Sequence, residues 1–232
     1  ELEDTTAKKQ VIFNTKIDCE QDEVIAIQGI SAGNIVYGKK ILYPDVPLRN
    51  PATGLGRICF ISDLHLDEYP KHEIEKISLW LDQHSVNYIS IAGDIGDIQS
   101  LEFIDKPTFL IPGEIDSQDE YPNLPMNVKS KNFISLSNPS MIEINGVKIL
   151  IIHKFDQTML RKRYLGKSQA VLKEDFLVLD DIPDIIHYGH DHKPFVTNYK
   201  SITLVNSGSL LTKFSPVIID LETRDWRQIN FE

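Results

Sequence analysis

The chain has 232 residues, 41% of them hydrophobic and 25% charged, with a formal net charge of −10. This composition suits a folded protein with a full core. The acidic balance excludes a nucleic-acid binder held by a broad basic face, and no apolar run approaches the ~20 residues of a membrane helix.

Cys19 and Cys59 form neither a disulfide framework nor a thiolate metal motif, which fits a reducing, cytoplasmic compartment. No signal peptide opens the sequence, and the first residue is Glu rather than Met, as expected of a piece of a longer or processed chain. Residues 1–22 are polar and read as mobile. Residues 23–43 alternate and turn at Gly29, Gly33 and Gly38, predicting two or three short antiparallel strands, too few to close a barrel. Pro44, Pro47 and Pro51 mark a linker over 44–56, so the chain divides into a β extension with linker (1–50) and a main domain (51–232). The main domain opens with a strand at 57–62 that buries Cys59. A helix at about 71–84 follows, with Ile74, Ile77, Leu79, Trp80 and Leu81 on or beside one face and His72 and His84 on the surface. Strands are predicted at 88–92, 108–111 and 133–136, with a hairpin at 141–152 turning at Asn145-Gly146. Helical segments are expected over 156–178. Further strands follow at 184–188, 195–199, 202–206, 215–221 and near 225–230, where Trp226 would cover a sheet edge or meet a partner. The predicted fold class is α/β: two mixed β-sheets packed together and flanked by helices.

The chemistry collects just past the apolar runs. Asp63 and His65 follow the first strand, Asp94 follows Gly93, His153 ends the hairpin, and His190 and His192 follow Gly189. If the chain stays extended after the strand, Asp63 and His65 point to the same side, toward one ion. A carboxylate such as Asp94 can bridge two ions, whereas an imidazole cannot. Four histidines and two aspartates so placed predict a pair of divalent metals, the usual device for displacement at phosphorus. A hydrolase of phosphate esters is expected. His187 has no ligand spacing and reads as a packed histidine.

The order Asp63-x-His65, Gly93-Asp94-x-x-Asp97, Gly113-x-x-Asp116, His153, Gly189-His190-x-His192 resembles the calcineurin-like metallophosphoesterases over residues 57–221. The resemblance implies one cation on Asp63, His65, Asp94 and His192, and a second on Asp94, Glu114, His153 and His190. Asp94 and His153 would then be catalytic through the metals. A narrower likeness lies outside these motifs. Tyr43-Pro44-Asp45-Val46-Pro47-Leu48-Arg49, the stretch from Met159 to Leu165, the run from Asp180 to His192, and Leu204 to Ser209 are similar to the small subunits of archaeal D-family DNA polymerases. That likeness implies a remnant of an oligonucleotide-binding barrel at the N-terminus and a large catalytic polymerase subunit as partner. It also implies DNA 3′ ends as substrate of a 3′→5′ proofreading exonuclease, and manganese as cofactor, with iron, zinc and nickel as alternatives.

One motif departs from the family. Where the resemblance calls for Gly-Asn-His-Asp, this chain has Gly113-Glu114-Ile115-Asp116. Glu114 can replace the asparagine as a ligand and adds a negative charge. Ile115 stands where the family has the histidine that contacts the phosphoryl oxygen and protonates the leaving group, and isoleucine does neither. General acid–base help contributes typically ~10²–10⁴-fold. Three readings therefore stand side by side: a weakened exonuclease subunit, a catalytically inactive scaffold of the polymerase, and a stand-alone phosphodiesterase on small nucleotides. The only dense basic cluster, Arg161, Lys162 and Arg163 with Tyr164, is the candidate DNA contact, with Tyr164 stacking on a base.

Overall fold

The computed structural model describes residues 1–17, 19, 23–68, 71–168 and 174–229. By contact the chain forms two compact units: Glu1–Val46 with Asp156–Leu165 and Leu177–Asp180, and Pro47–Phe155 with Gly166–Phe176 and Asp181–Glu232.

The first unit is a four-stranded sheet of β1 (Leu2–Glu3), β2 (Lys8–Phe13), β3 (Ala26–Ala32) and β4 (Ile35–Leu42), in the order β1-β2-β4-β3. One expectation is corrected here. The segment read as mobile contributes β1 and β2, because Lys9, Val11 and Phe13 alternate with Lys8, Gln10 and Ile12 and give β2 a half-buried face. β3 and β4 pair antiparallel, as expected over residues 23–43, and β2 adds a parallel pairing with β4, so the sheet is mixed. A bulge at Gln28/Gly29 lets β3 follow β4, and a Cβ on Gly29 would collide with the Tyr37 carbonyl. The unit also holds the short helix Thr158–Lys162, which ends where Arg163 turns left-handed (φ 53°). This helix is all that the structure shows of the helical stretch expected over 156–178. Beyond it Tyr164 pairs with Val178 in a β-bridge, and residues 169–173 lie outside the described residues.

The second unit packs two mixed sheets face to face, an α/β fold. One has six strands: β5 (Arg57–Ile61), β6 (Tyr88–Ala92), β7 (Thr108–Ile111) and β8 (Phe133–Ser135) run parallel, β16 (Val217–Asp220) pairs antiparallel with β5, and β17 (Trp226–Gln228) pairs antiparallel with β16 at the edge. The other is β12-β13-β11-β10-β9, from β9 (Ser140–Ile144), β10 (Val147–Ile151), β11 (Ile185–Tyr188), β12 (Phe195–Tyr199) and β13 (Ile202–Asn206). A small ribbon joins β14 (Gly208–Ser209) to β15 (Lys213–Phe214).

Strand alternation divides the core. Ile58 and Phe60 of β5 face inward, with Ala92, Ile111, Ile149, Ile151, Ile185 and Val205, between the sheets. Cys59 and Ile61 face out, with Ile89 and Ile91, and meet Ile77, Trp80 and Leu81 of helix α1 (Lys71–Gln83). α1 and the 3-10 turn Ile98–Leu101 cover only the outer face of the six-stranded sheet. Among the described residues, the expected flanking helices therefore reduce to one long one. His84 is not a free surface residue: its ring lies 4.5 Å from that of Trp80 and its Nδ1 is 2.8 Å from the Trp80 carbonyl. The side chains of 71–75, His72 and Ile74 among them, lie outside the described ones. Trp226 sits 45% exposed on the edge strand β17.

Candidate metal centre

The parallel strands deliver the site. β5, β6 and β7 in one sheet and β10, β11 and β13 in the other end in loops that meet at the carboxyl edge. After β5 the chain is not extended. Asp63 and His65 both take left-handed backbone (φ 52° and 47°) and lie along the next loop, Asp63 N–H donating to the Gly93 carbonyl (3.0 Å) and His65 N–H to that of Asp94 (3.1 Å). The two side chains do reach one ion site, by two tight turns rather than by strand alternation. Asp94, His190 and His192 are left-handed too (φ 51°, 70° and 54°). Five of the seven candidate ligands thus hold a conformation costly for non-glycine residues, typically ~1–3 kcal/mol each, and surrounding hydrogen bonds must enforce it.

Those bonds are visible. The Asp63 carboxylate accepts the His190 N–H on both oxygens (3.0 and 3.2 Å), tying the first loop to the fifth. The Asp63 carbonyl accepts the Ser209 hydroxyl (2.9 Å) and the Leu210 N–H (3.2 Å). Asp116 accepts three backbone N–H groups, from Ile95, Gly96 and Gly113 (2.8 to 3.0 Å at the nearer oxygens), and so clamps the loop after β7 to the loop after β6. Glycine is needed where these loops touch. A Cβ on Gly93 would lie 2.6 Å from His153 Nδ1, and one on Gly113 would strike the Asp94 carboxylate.

The donor atoms form two groups. Asp63, His65, Asp94 and His192 offer atoms all within 4.8 Å of one another, and so do Glu114, His153 and His190. Asp94 links them, its Oδ2 lying 3.4 Å from His153 Nε2. Within the groups, His65 Nε2 faces His192 Nε2 at 3.4 Å, His192 Nε2 lies 3.5 Å from Asp63 Oδ1, and His190 Nδ1 lies 3.4 Å from Glu114 Oε2. Asp63, His65, Asp94 and His153 are buried, while Glu114 is exposed at the rim.

His153 shows best what the pocket suits. Its Nδ1 is 2.8 Å from the Ala92 carbonyl, which can only accept, so Nδ1 carries the hydrogen. Its Nε2 is then aimed into the pocket, buried and without a hydrogen-bond partner. An orphaned imidazole nitrogen amid carboxylates, its tautomer fixed by a backbone carbonyl, is the arrangement of a metal-ligating histidine. The N/O donor set fits divalent transition metals. Charge is arranged to match. Burial pushes Asp94 up and His153 down, yet their contact reverses both shifts, leaving Asp94 at about 2 and His153 at about 9. Burial raises Asp63, against the pull of Ser62, His153, His190 and His192.

Ile115 is 53% exposed beside this pocket. Its N–H donates to Asp94 Oδ1 (3.1 Å), so the main chain at this position supports the Asp94 carboxylate although the side chain offers no proton. His187 is packed between the sheets, its Nδ1 2.7 Å from the Ser90 hydroxyl and its ring edge-on to Phe60. The basic candidates belong to the other unit and are engaged within it. Arg161 lies over the Tyr43 ring (5.6 Å), Lys162 pairs with Glu23, Arg163 donates to the Leu179 and Asp180 carbonyls (2.9 and 3.1 Å), and Tyr164 bridges to Val178. Sequence reasoning assigned no role to Asp116, although the motif contained it. It missed Asn138, whose Oδ1 accepts the His153 N–H (3.1 Å), because nothing in the sequence marks that loop residue.

A model of the calcineurin-like phosphoesterase superfamily domain matches residues 57–224. The sequence is 28% identical to the DNA polymerase II small subunit of Archaeoglobus fulgidus, over 90% of this chain and 59% of that protein. It is 26% identical to the DNA polymerase II small subunit of Methanothermobacter thermautotrophicus, over 90% of this chain and 60% of that protein. The chain therefore spans about 60% of the length of these curated relatives. A solved structure described as a novel archaeal phosphodiesterase shares the fold with a TM-score of 0.54 and 18% identity, covering 75% of this chain and 99% of that one.

Proposed function

The chain belongs to the calcineurin-like phosphoesterase superfamily, and from that premise we propose that it is the phosphoesterase-bearing part of a DNA polymerase small subunit, a candidate 3′→5′ exonuclease slowed by Ile115. The observation that carries the reading is the pair of donor groups joined at Asp94, with the buried His153 Nε2 aimed between them. Asp63, His65, Asp94 and His192 would hold one divalent cation, and Asp94, Glu114, His153 and His190 the other. We infer manganese, with iron, zinc and nickel as alternatives for this donor set. Two such ions would supply an acidified water and would neutralise the negative charge that builds on the phosphoryl oxygens.

The chain's own residues do the rest. The Ala92 carbonyl and Asn138 hold His153 in register, and the Ile115 N–H steadies Asp94. Ile115 donates nothing to the leaving oxygen, which must take its proton from solvent. Likeness to the polymerase small subunits supports a large catalytic subunit as partner and a DNA 3′ end as substrate. The basic segment Arg161–Tyr164 is the proposed strand contact, with Arg161 the exposed cation in it. The test is release of nucleotides from 3′-labelled single-stranded DNA with manganese. Slow hydrolysis that His65→Ala abolishes supports the reading.

The exposed isoleucine favours a second reading, a scaffold without catalysis. It predicts silence in the native chain and activity only after Glu114→Asn, Ile115→His. Strong native activity defeats it.

A further inference from the structure

The strands that end at the metal centre begin at a second cleft. β11 starts at Ile185 and β13 at Ile202, and near these starts the linker 48–51, the β12–β13 turn and the 224–226 segment enclose about 500 Å3. That is the volume of a small-ligand pocket. In a chain of net charge −10, its wall gathers Arg49, Lys200 and Arg224 against one acidic lining residue, Asp225, with Trp226 beside them.

The two guanidinium groups are fixed in place. Arg49 donates to Asp184 Oδ1 (2.9 Å) and to the Ile182 carbonyl (2.7 Å). Arg224 donates to the Asp184 carbonyl (2.9 Å) and Thr203 Oγ1 (3.2 Å). The Asp184 carboxylate, 1% exposed, pairs with Arg49 alone of the two and also accepts the N–H groups of Ala52 (3.0 Å) and Lys148 (2.9 Å). Positive charge is left in excess. Burial and the Arg49 charge hold Arg224 below its usual value, against the pull of Asp184. The Nε of Arg49 is cut off from solvent and meets no acceptor. Rigid, undercompensated guanidinium groups suit a phosphate, and a half-exposed indole suits a flat base.

We propose that this cleft is a second ligand site, apart from the metal centre, for a phosphate ester the size of a nucleoside monophosphate. The phosphate lies against Arg49, Lys200 and Arg224, and the base over Trp226.

Tryptophan fluorescence tests this directly. The chain has two tryptophans, and Trp80 is packed in the core, so a quench by ligand reports on Trp226. AMP is titrated in EDTA, which removes any cation-dependent binding at the metal centre and separates this test from failure of the proposed function. The expected result is a saturable quench below about 1 mM AMP that inorganic phosphate competes away and adenosine does not reproduce. Lys200→Glu, an exposed turn substitution, should weaken the affinity about tenfold with an unchanged unfolding midpoint. Equilibrium dialysis of labelled AMP against Trp226→Leu, expected to bind several-fold more weakly, gives a readout independent of fluorescence. No saturable quench, equal affinity in Lys200→Glu, or equal binding of adenosine overturns the proposal.

Discussion

Restoring the family residues at positions 114 and 115 should create activity, and the structure sets the size of the gain. Ile115 is 53% exposed and its N–H, not its side chain, donates to Asp94, so histidine fits there without repacking. A surface change of this kind moves stability by about 0.5 kcal/mol or less. A histidine half in water keeps a pKa near its ordinary value, and about half of it is protonated at pH ~6.5. The gain from a general acid then falls at the low end of its range, ~10²-fold. Glu114→Asn acts through charge. One unit charge acting on another across about 5 Å is worth ~3 kcal/mol at an effective dielectric of ~20. The Glu114 side chain is 62% exposed, and screening reduces that to ~1 kcal/mol, about fivefold in rate. Together the two changes predict a gain of about 500-fold. The assay is manganese-dependent release of nucleotide from 3′-labelled single-stranded DNA at pH 6.5, with metal content measured on the same samples. A gain below about tenfold with unchanged metal content would refute the idea that position 115 limits this site.

Other outcomes follow from the same geometry. Burial pushes His187 down to about 3 from 6.5, so the unfolded chain binds the extra proton between those values, and stability is complete above pH 6.5 and lost as the pH falls. Urea unfolding at pH 7 and pH 5 should show His187 contributing a loss of about 2 kcal/mol, and His187→Asn should flatten the difference by that amount. Gly113→Ala drives a methyl group into Asp94 and should cost about 1–3 kcal/mol by urea unfolding and abolish metal uptake. Arg49→Ala leaves the buried Asp184 without its ion-pair partner (2.9 Å). Because two backbone N–H groups still hold that carboxylate and Arg49 is 32% exposed, the expected loss is about 2 kcal/mol rather than the ~3–5 of a sealed pair, read from the urea midpoint. Manganese should raise the thermal midpoint of the native chain and leave that of Asp94→Ala unmoved.

The strands of the second unit were legible because each is a short β-branched run closed by a turn, as in Arg57–Ile61 and Val147–Ile151. Their inner and outer faces follow from alternation, as Ile58 and Phe60 against Cys59 and Ile61 show. The residues that form the two donor groups were legible because polar residues directly after such runs have few other uses. The backbone that aims them was not: a left-handed Asp63 or His65 looks like any other residue in sequence, and only the ladder to Gly93 and Asp94 reveals it. β2 was hidden because half of its residues are lysine or glutamine and both of its faces carry a lysine. The basic run at 161–163 reads as a surface patch until Tyr43, Glu23 and the 179–180 carbonyls appear beside it. Arg49 and Asp184 sit in separate blocks that each resembled polymerase small subunits, and their ion pair, 135 residues apart in sequence, emerges only in three dimensions.

Metal stoichiometry tests the central claim most directly. Calorimetric titration of the metal-stripped chain with manganese, checked by elemental analysis, should give two ions per chain, falling to none in His65→Ala, Asp94→Ala. A native chain that takes up no manganese, or a double variant that still takes up two ions, contradicts the account.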